Sequence, residues 1–400
     1  MCRRARTIFC VATMFALACW ARGQTFTVVY AFQGQPDGTN PFAAVTLDAA
    51  GNLYGTAETG GAGCPNGGCG AVFKISKSGT EKLLYSFTGG SDGSFPAGTL
   101  VRDAAGNFYS TTQQGGGSGR GTVFKLNATG KETVLYSFTG GADGGTPTAG
   151  LVLDTQGNLY GTTRAGGAAD SGTVFKLDTS GKETVLYSFT GGADGAIPAA
   201  ALIRDAAGNF YGTTATGGDT TCNAPYGCGT VFKIDANGTE TVLHAFTGTG
   251  GDGSMPYSSL VRDSARNLYG TTANGGNLSC IPGGCGTVFR VSNTGTEAVI
   301  YQFKTANEGA FPAAGLLRDA AGTLYGTTWG GGTFGYGTVF KVDKTGKETV
   351  LHSFNFATDG AQPLAPLVRD HAGNLYGTTS IDGGTACGGY GCGTVFKIAW

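Results

Sequence analysis

Histidine is nearly missing from this chain, with three in 400 residues. His244 and His352 fill the tyrosine position of a recurring YSF stretch, and His371 replaces an alanine in a recurring DAAG turn. None stands alone in the way that acid–base chemistry at a pocket needs. Charge is also scarce, at 13% Asp, Glu, Lys and Arg with a formal balance of −1. No basic stripe is present to displace phosphate counterions, so nucleic acid is excluded as a partner. Proline is sparse, at 12 residues against 74 glycines. The glycines follow no G-X-Y period, so the chain is not collagen-like, and no window long enough for a helix has a 3.6-residue apolar period. What remains is 40% apolar residues, enough for a large core built from short strands and tight turns.

The one long apolar run is TIFCVATMFALACW at 7–20, too short for a comfortable membrane anchor. It follows the basic start MCRRAR and precedes Ala21-Arg22-Gly23, with small residues at both key cleavage positions. Residues 1–23 are therefore expected to be an export signal and 24–400 the mature protein. A lipoprotein processed at Cys19 fits less well, because Leu17 sits one position off the usual pattern. Loss of the signal leaves 22 basic against 27 acidic residues. The mature chain is expected to be a monomer without a membrane span, secreted, extracellular or periplasmic.

Repetition decides the architecture. NLYGTT and its variants place a tyrosine at Tyr54, Tyr109, Tyr160, Tyr211, Tyr269, Tyr325 and Tyr376. GTVFK places a phenylalanine at Phe73, Phe124, Phe175, Phe232, Phe289, Phe340 and Phe396. Each unit of 51 to 58 residues holds four apolar stretches parted by turn signals, as in PTAGLVLD, NLYGTT, GTVFKLD and ETVLYSF. Seven such units predict an all-β, seven-bladed β-propeller with four antiparallel strands, A to D, per blade. Small residues after Pro147, Pro198 and Pro312 place strand A at the crowded axis, and bulky VLYSF places strand D at the rim.

The seventh unit has its A, B and C strands in 363–399, and TFTVVYAF at 25–32 is an orphan D strand at the other end. The N-terminal strand is expected to complete the last blade and close the ring, removing an open sheet edge.

The unit GTVFKL…G.ETVLYSF.GG.DG..P…D..GNLYGTT resembles the GloVer tandem repeat of secreted bacterial proteins over 25–400, and its core P…LVRDAAGNLYGTT is similar to the NHL-type propeller repeat. The resemblance implies a fold and no established activity. Members often carry a C-terminal sorting or anchoring segment, whereas this chain ends within a blade strand, so free secretion is the expectation.

Three cysteines fall within the signal. The other eight form local pairs between strands B and C: Cys64 with Cys69, Cys222 with Cys228, Cys280 with Cys285, and Cys387 with Cys392. From the NLYGTT tyrosine to the GTVFK phenylalanine is 15 residues in the three units without cysteine and 19 to 21 in the four with it. Disulfides pinning enlarged loops explain the pattern better than zinc, which favours tighter spacings with histidine or a nearby second pair.

The acids recur in register. Asp48, Asp103, Asp154, Asp205, Asp263, Asp319 and Asp370 precede the A–B turn and suit bonds from turn amides. The acids of DGxxP, Asp37, Asp92, Asp143, Asp194, Asp252, Glu308 and Asp359, have the same scaffold character, because one carboxylate per loop falls short of calcium's six to eight oxygens. Lys74, Lys125, Lys176, Lys233, Lys341, Lys397 and Arg290 read as repeated strand-end charges. No catalytic residue, metal site or cofactor is assigned.

Function is then sought where the repeat varies. The B–C and D–A loops share one face, which carries the length variation and the cysteines. The residue after NLYGTT is, in order, Glu58, Gln113, Arg164, Ala215, Ala273, Trp329 and Ser380. Trp329 is the candidate stacking platform, with Phe334 and Tyr336 following it and Arg164, Glu58 and Gln113 as polar partners. Drift at an exposed position is the competing explanation of that variation. The expected role is binding of a glycan or envelope component, with a polysaccharide-active enzyme (lyase or glycosidase) and a structural envelope protein as alternatives. Trp400 is expected to pack against the closing strand.

Overall fold

A computed structural model describes residues 24–64, 67–381, 383 and 391–400. The expected signal and Cys387 lie outside the described residues. Seven four-stranded antiparallel sheets stand around a central axis. In blade three, strands A to D are Val152–Leu153, Leu159–Thr163, Thr173–Leu177 and Glu183–Ser188. Strand A is only two residues long in every blade. In blade seven the order runs Val368–Arg369, Leu375–Thr379, Thr394–Ala399 and then Thr25–Ala31, which pairs antiparallel with the C strand from Thr25 opposite Ala399 to Ala31 opposite Thr394. The N-terminal strand closes the ring, as its sequence leads one to expect.

Each A–B turn is held by its aspartate. Asp48 Oδ1 accepts from the amides of Ala50 and Asn52, and Oδ2 from the Asn52 side chain and the Tyr54 hydroxyl, all between 2.8 and 3.1 Å. Burial alone would raise this carboxyl, but those bonds hold it below the ordinary aspartate range. Each C–D pairing contains a register shift, as between Val174 and Phe175, which bends the outer strand.

Two closed rings of contacts lock blade to blade. The phenylalanine after each D strand meets the C-strand phenylalanine of the next blade edge to face. Phe138 meets Phe175, Phe354 meets Phe396 and Phe32 meets Phe73, with centroids 5.0 or 5.1 Å apart. All seven junctions have this pair, which the closing strand completes through Phe32. In six blades the glycine of the B strand makes room for the C-strand phenylalanine ring, a Cβ on Gly55 standing 2.4 Å from Phe73 Cζ, while blade two has Ser110 in its place. Nearer the axis, the first threonine of LYGTT donates to a carbonyl beside the next blade's strand A. The series runs from Thr56 to Gly98 through Thr162 to Ala200 and returns with Thr378 to Ala43. These threonines are buried, so each bond satisfies a hydroxyl that would otherwise be costly to enclose.

Candidate functional site

The residue just after each DGxxP proline lines the axis, from Phe42 in blade one through Thr148 and Tyr257 to Leu364 in blade seven. Around this ring stands a second, the residues just before the prolines: Asn40, Phe95, Thr146, Ile197, Met255, Phe311 and Gln362. All seven have positive φ, between 54 and 59°. Such backbone disfavours residues with a Cβ, and β-branched Ile197 and Thr146 most of all. Each of their carbonyls accepts from the amide of the variable residue after NLYGTT, from Glu58 to Asn40 at 3.0 Å round to Ser380 and Gln362 at 3.2 Å. Three variable positions per blade are therefore tied together at this end of the axis, its mouth. Only one was singled out from sequence, although the residues flanking the proline also change from copy to copy.

The mouth is a cavity of about 560 Å³. On one side Met255, Tyr257, Phe311 and Trp329 form an apolar arc, with the Trp329 and Phe311 rings 5.4 Å apart. Across the axis stand Thr148 and Arg164, the latter being the one charged residue of the lining. Below, the channel narrows to about 140 Å³ between small residues such as Gly150, Ala200 and Ala314. Trp329 and Arg164 thus share one cavity, as a joint role needs. Glu58 and Gln113 lie outside its lining, where the Gln113 amide donates to Glu58 Oε1 at 2.6 Å. Burial raises the Glu58 carboxyl, and that bond opposes the rise. Phe334 and Tyr336 project from the B–C loop of blade six, outside the lining, with the Tyr336 ring 5.0 Å from Phe356.

Among the described residues the exposed large apolar side chains are Tyr226, Tyr257, Leu278, Trp329, Phe334, Tyr336 and Trp400. All but Trp400 sit on the B–C/D–A face, in blades four to six. Among the described residues three disulfides brace enlarged loops of the same face, Cys64–Cys69 in blade one, Cys222–Cys228 in blade four and Cys280–Cys285 in blade five. Trp400 lies elsewhere than expected. Its indole N–H donates to Gly373 O, and the Lys341 ammonium stands 5.6 Å from its ring, so it covers an A–B turn rather than the closing strand.

The opposite face has a cavity of about 440 Å³ between blades four and five, containing Lys233, Arg262 and Arg266. Its residues belong mainly to repeated turns. Arg262 is committed to Asp205 at 3.4 Å and to the Tyr211 ring at 4.9 Å. The axial mouth, where exposed aromatics and variable positions coincide, is the better candidate site.

Most of the remaining repeated residues have structural partners. Lys125 and Lys176 lie over the Tyr109 and Tyr160 rings, a closer role than a strand-end charge. Each DGxxP acid receives the D-strand tyrosine or histidine, a turn amide, or both. Asp143 accepts from the Tyr136 hydroxyl at 3.0 Å and the Thr139 amide at 2.8 Å.

Fold and mouth together define a seven-bladed propeller with an asymmetric pocket at the B–C/D–A end of its axis. The chain belongs to the Gloeobacter/Verrucomicrobia repeat family, whose model matches residues 11–224 and 220–400. No curated protein matches. Similar solved structures include two of an extracellular domain from B. thetaiotaomicron, described in one as part of a hybrid two-component system and in the other as part of a one-component system. Their TM-scores are 0.60 and 0.56 at 12% and 11% identity, with 93% and 92% of this chain covered. The chain spans only 40% and 39% of those domains. A gluconolactonase from Xanthomonas campestris aligns over 93% of this chain and 97% of its own, at 14% identity and TM-score 0.46. At these identities the likeness is one of fold alone. Among the described residues no helix is long and apolar enough to cross a membrane. The disulfides fit an extracellular or periplasmic protein.

Proposed function

We propose that this protein is a secreted binding module, exported after loss of residues 1–23, whose axial mouth holds a glycan of the cell envelope or surroundings. The observation that carries this reading is the asymmetry of the mouth. Three repeat positions, each present seven times, have diverged so that an arc of Met255, Tyr257, Phe311 and Trp329 faces Thr148 and Arg164. Sugar rings offer an apolar face that stacks on aromatic side chains and hydroxyls that bond to polar groups, so an aromatic arc opposite a cation and a hydroxyl suits them. The strained residues before the prolines add support, since backbone outliers cluster at ligand-holding sites.

The test is retention on a panel of insoluble polysaccharides. The parent should co-sediment with at least one of them, and Trp329→Ala should be released. Equal retention of both proteins would place binding elsewhere, and new reducing ends or unsaturated products would make the protein an enzyme.

A further inference from the structure

The outer rim repeats a trio at the blade junctions: the aromatic residue of one D strand, the DGxxP acid after it, and a glutamate from the next blade's D strand. At five junctions the aromatic residue is tyrosine, whose hydroxyl donates to the acid, as Tyr187 does to Asp194. Between blades four and five it is His244. Its Nε2 lies 3.4 Å from Asp252 Oδ2, close enough for an ion pair but without hydrogen-bond geometry. Ligand atoms of His244, Asp252 and Glu297 all lie within 4.8 Å of one another. Both Nε2 and Glu297 Oε1 are closed to solvent and lack a hydrogen-bond partner.

The seventh junction is the internal contrast. It too has a histidine, but the glutamate position holds Phe26. There the imidazole of His352 bonds Asp359 at 2.6 Å and stacks flat on Phe26 at 3.6 Å. A histidine that merely stands in for tyrosine thus finds its bond, and His244, with a second carboxylate beside it, does not.

We propose that His244, Asp252 and Glu297 bind one divalent transition-metal ion, zinc being the best fit, and so tie blade four to blade five. One imidazole nitrogen and two carboxylate oxygens are a zinc-type donor set with room for a further ligand, whereas calcium would need six to eight oxygens. Asp252 is already oriented. Its Oδ2 accepts from the Thr247 amide at 2.8 Å and hydroxyl at 3.0 Å, and its Oδ1 from the Gly253 amide at 2.7 Å. Such outer bonds fix a ligating carboxylate.

The experiment uses untagged mature protein, stripped with chelator and titrated with cobalt(II), then with zinc in competition. The parent should take up one tight equivalent with visible cobalt bands, which zinc abolishes. His244→Tyr restores the residue used at five other junctions and Glu297→Gln keeps the shape. Each should weaken binding by about tenfold or more, with melting in chelator close to the parent's. His352→Tyr should bind as the parent does. The proposal is overturned if the parent takes up no tight equivalent, if His244→Tyr binds as the parent does, or if His352→Tyr abolishes binding as well.

Discussion

In six blades the second threonine of LYGTT faces the threonine of GTVFK across the B–C pairing, with hydroxyl oxygens 2.8 or 2.9 Å apart. In blade one both are alanine, Ala57 opposite Ala71. That joint replacement predicts strong coupling. Thr163 Oγ1 accepts from the Thr173 amide at 3.1 Å, shares a bond with Thr173 Oγ1 at 2.9 Å and donates to Ala165 O at 3.0 Å. Both side chains are fully buried. Thr163→Ala removes three side-chain bonds and leaves the buried Thr173 hydroxyl without this partner, while the Thr173 amide keeps its place opposite Thr163 in the B–C ladder, which should cost about 2 to 3 kcal/mol. Thr173→Ala loses one bond and leaves Thr163 two partners, for about 1 kcal/mol. The double variant no longer has the stranded hydroxyl, so it should cost roughly 1 kcal/mol less than the sum. Urea unfolding followed by circular dichroism on the four proteins gives the cycle. Additivity to within about 0.5 kcal/mol would refute the coupling.

Deleting residues 24–33 removes Phe32, worth about 3 to 5 kcal/mol as a buried phenylalanine, and bares the edge of Thr394–Ala399. The truncated protein should aggregate or lose its cooperative melt, and unchanged melting would contradict closure. Glu81, Glu132, Glu183, Glu240 and Glu348 are pushed up to about 7, first by burial and then by the neighbouring acid, Asp37, Asp92, Asp143, Asp194 or Glu308. A carboxyl raised in the folded state binds its proton more tightly there, so its contribution is present below about 4.5 and is lost as pH rises through 7. Thermal midpoints should fall between pH 5 and 8 and fall less in Glu183→Gln; a flat profile would refute this. Ile197 has φ 57° where blade one has Asn40, so Ile197→Asn should stabilise by roughly 1 kcal/mol. A lowered denaturation midpoint would refute the strain argument.

Blade count, strand order, ring closure and the described disulfides were legible because each rests on a local signal repeated seven times, such as the NLYGTT tyrosine or the cysteines of the longer loops. Contacts between blades were not. Nothing in the threonine of Thr162 announces that it donates to Ala200 in the next blade, and nothing in a lone Trp400 announces Gly373. The candidate site was half legible. Variation marked Trp329 and Arg164, but that they share a cavity while Glu58 and Gln113 pair outside it depends on which side of the axis each blade falls. Met255 and Phe311 belong to a column before the proline that varies as much as the one after NLYGTT, so the same signal marks them, but only the structure puts both columns at one cavity.

The most direct test of the axial site uses intrinsic fluorescence of residues 24–400, in which Trp329 and Trp400 are the tryptophans, each 39% exposed. Soluble oligosaccharides cut from any retained polysaccharide are titrated into the parent, Trp329→Phe and Trp400→Phe. The axial site predicts a saturable shift or quench in the parent and in Trp400→Phe, lost in Trp329→Phe. A saturable change that survives in Trp329→Phe and vanishes in Trp400→Phe would contradict it.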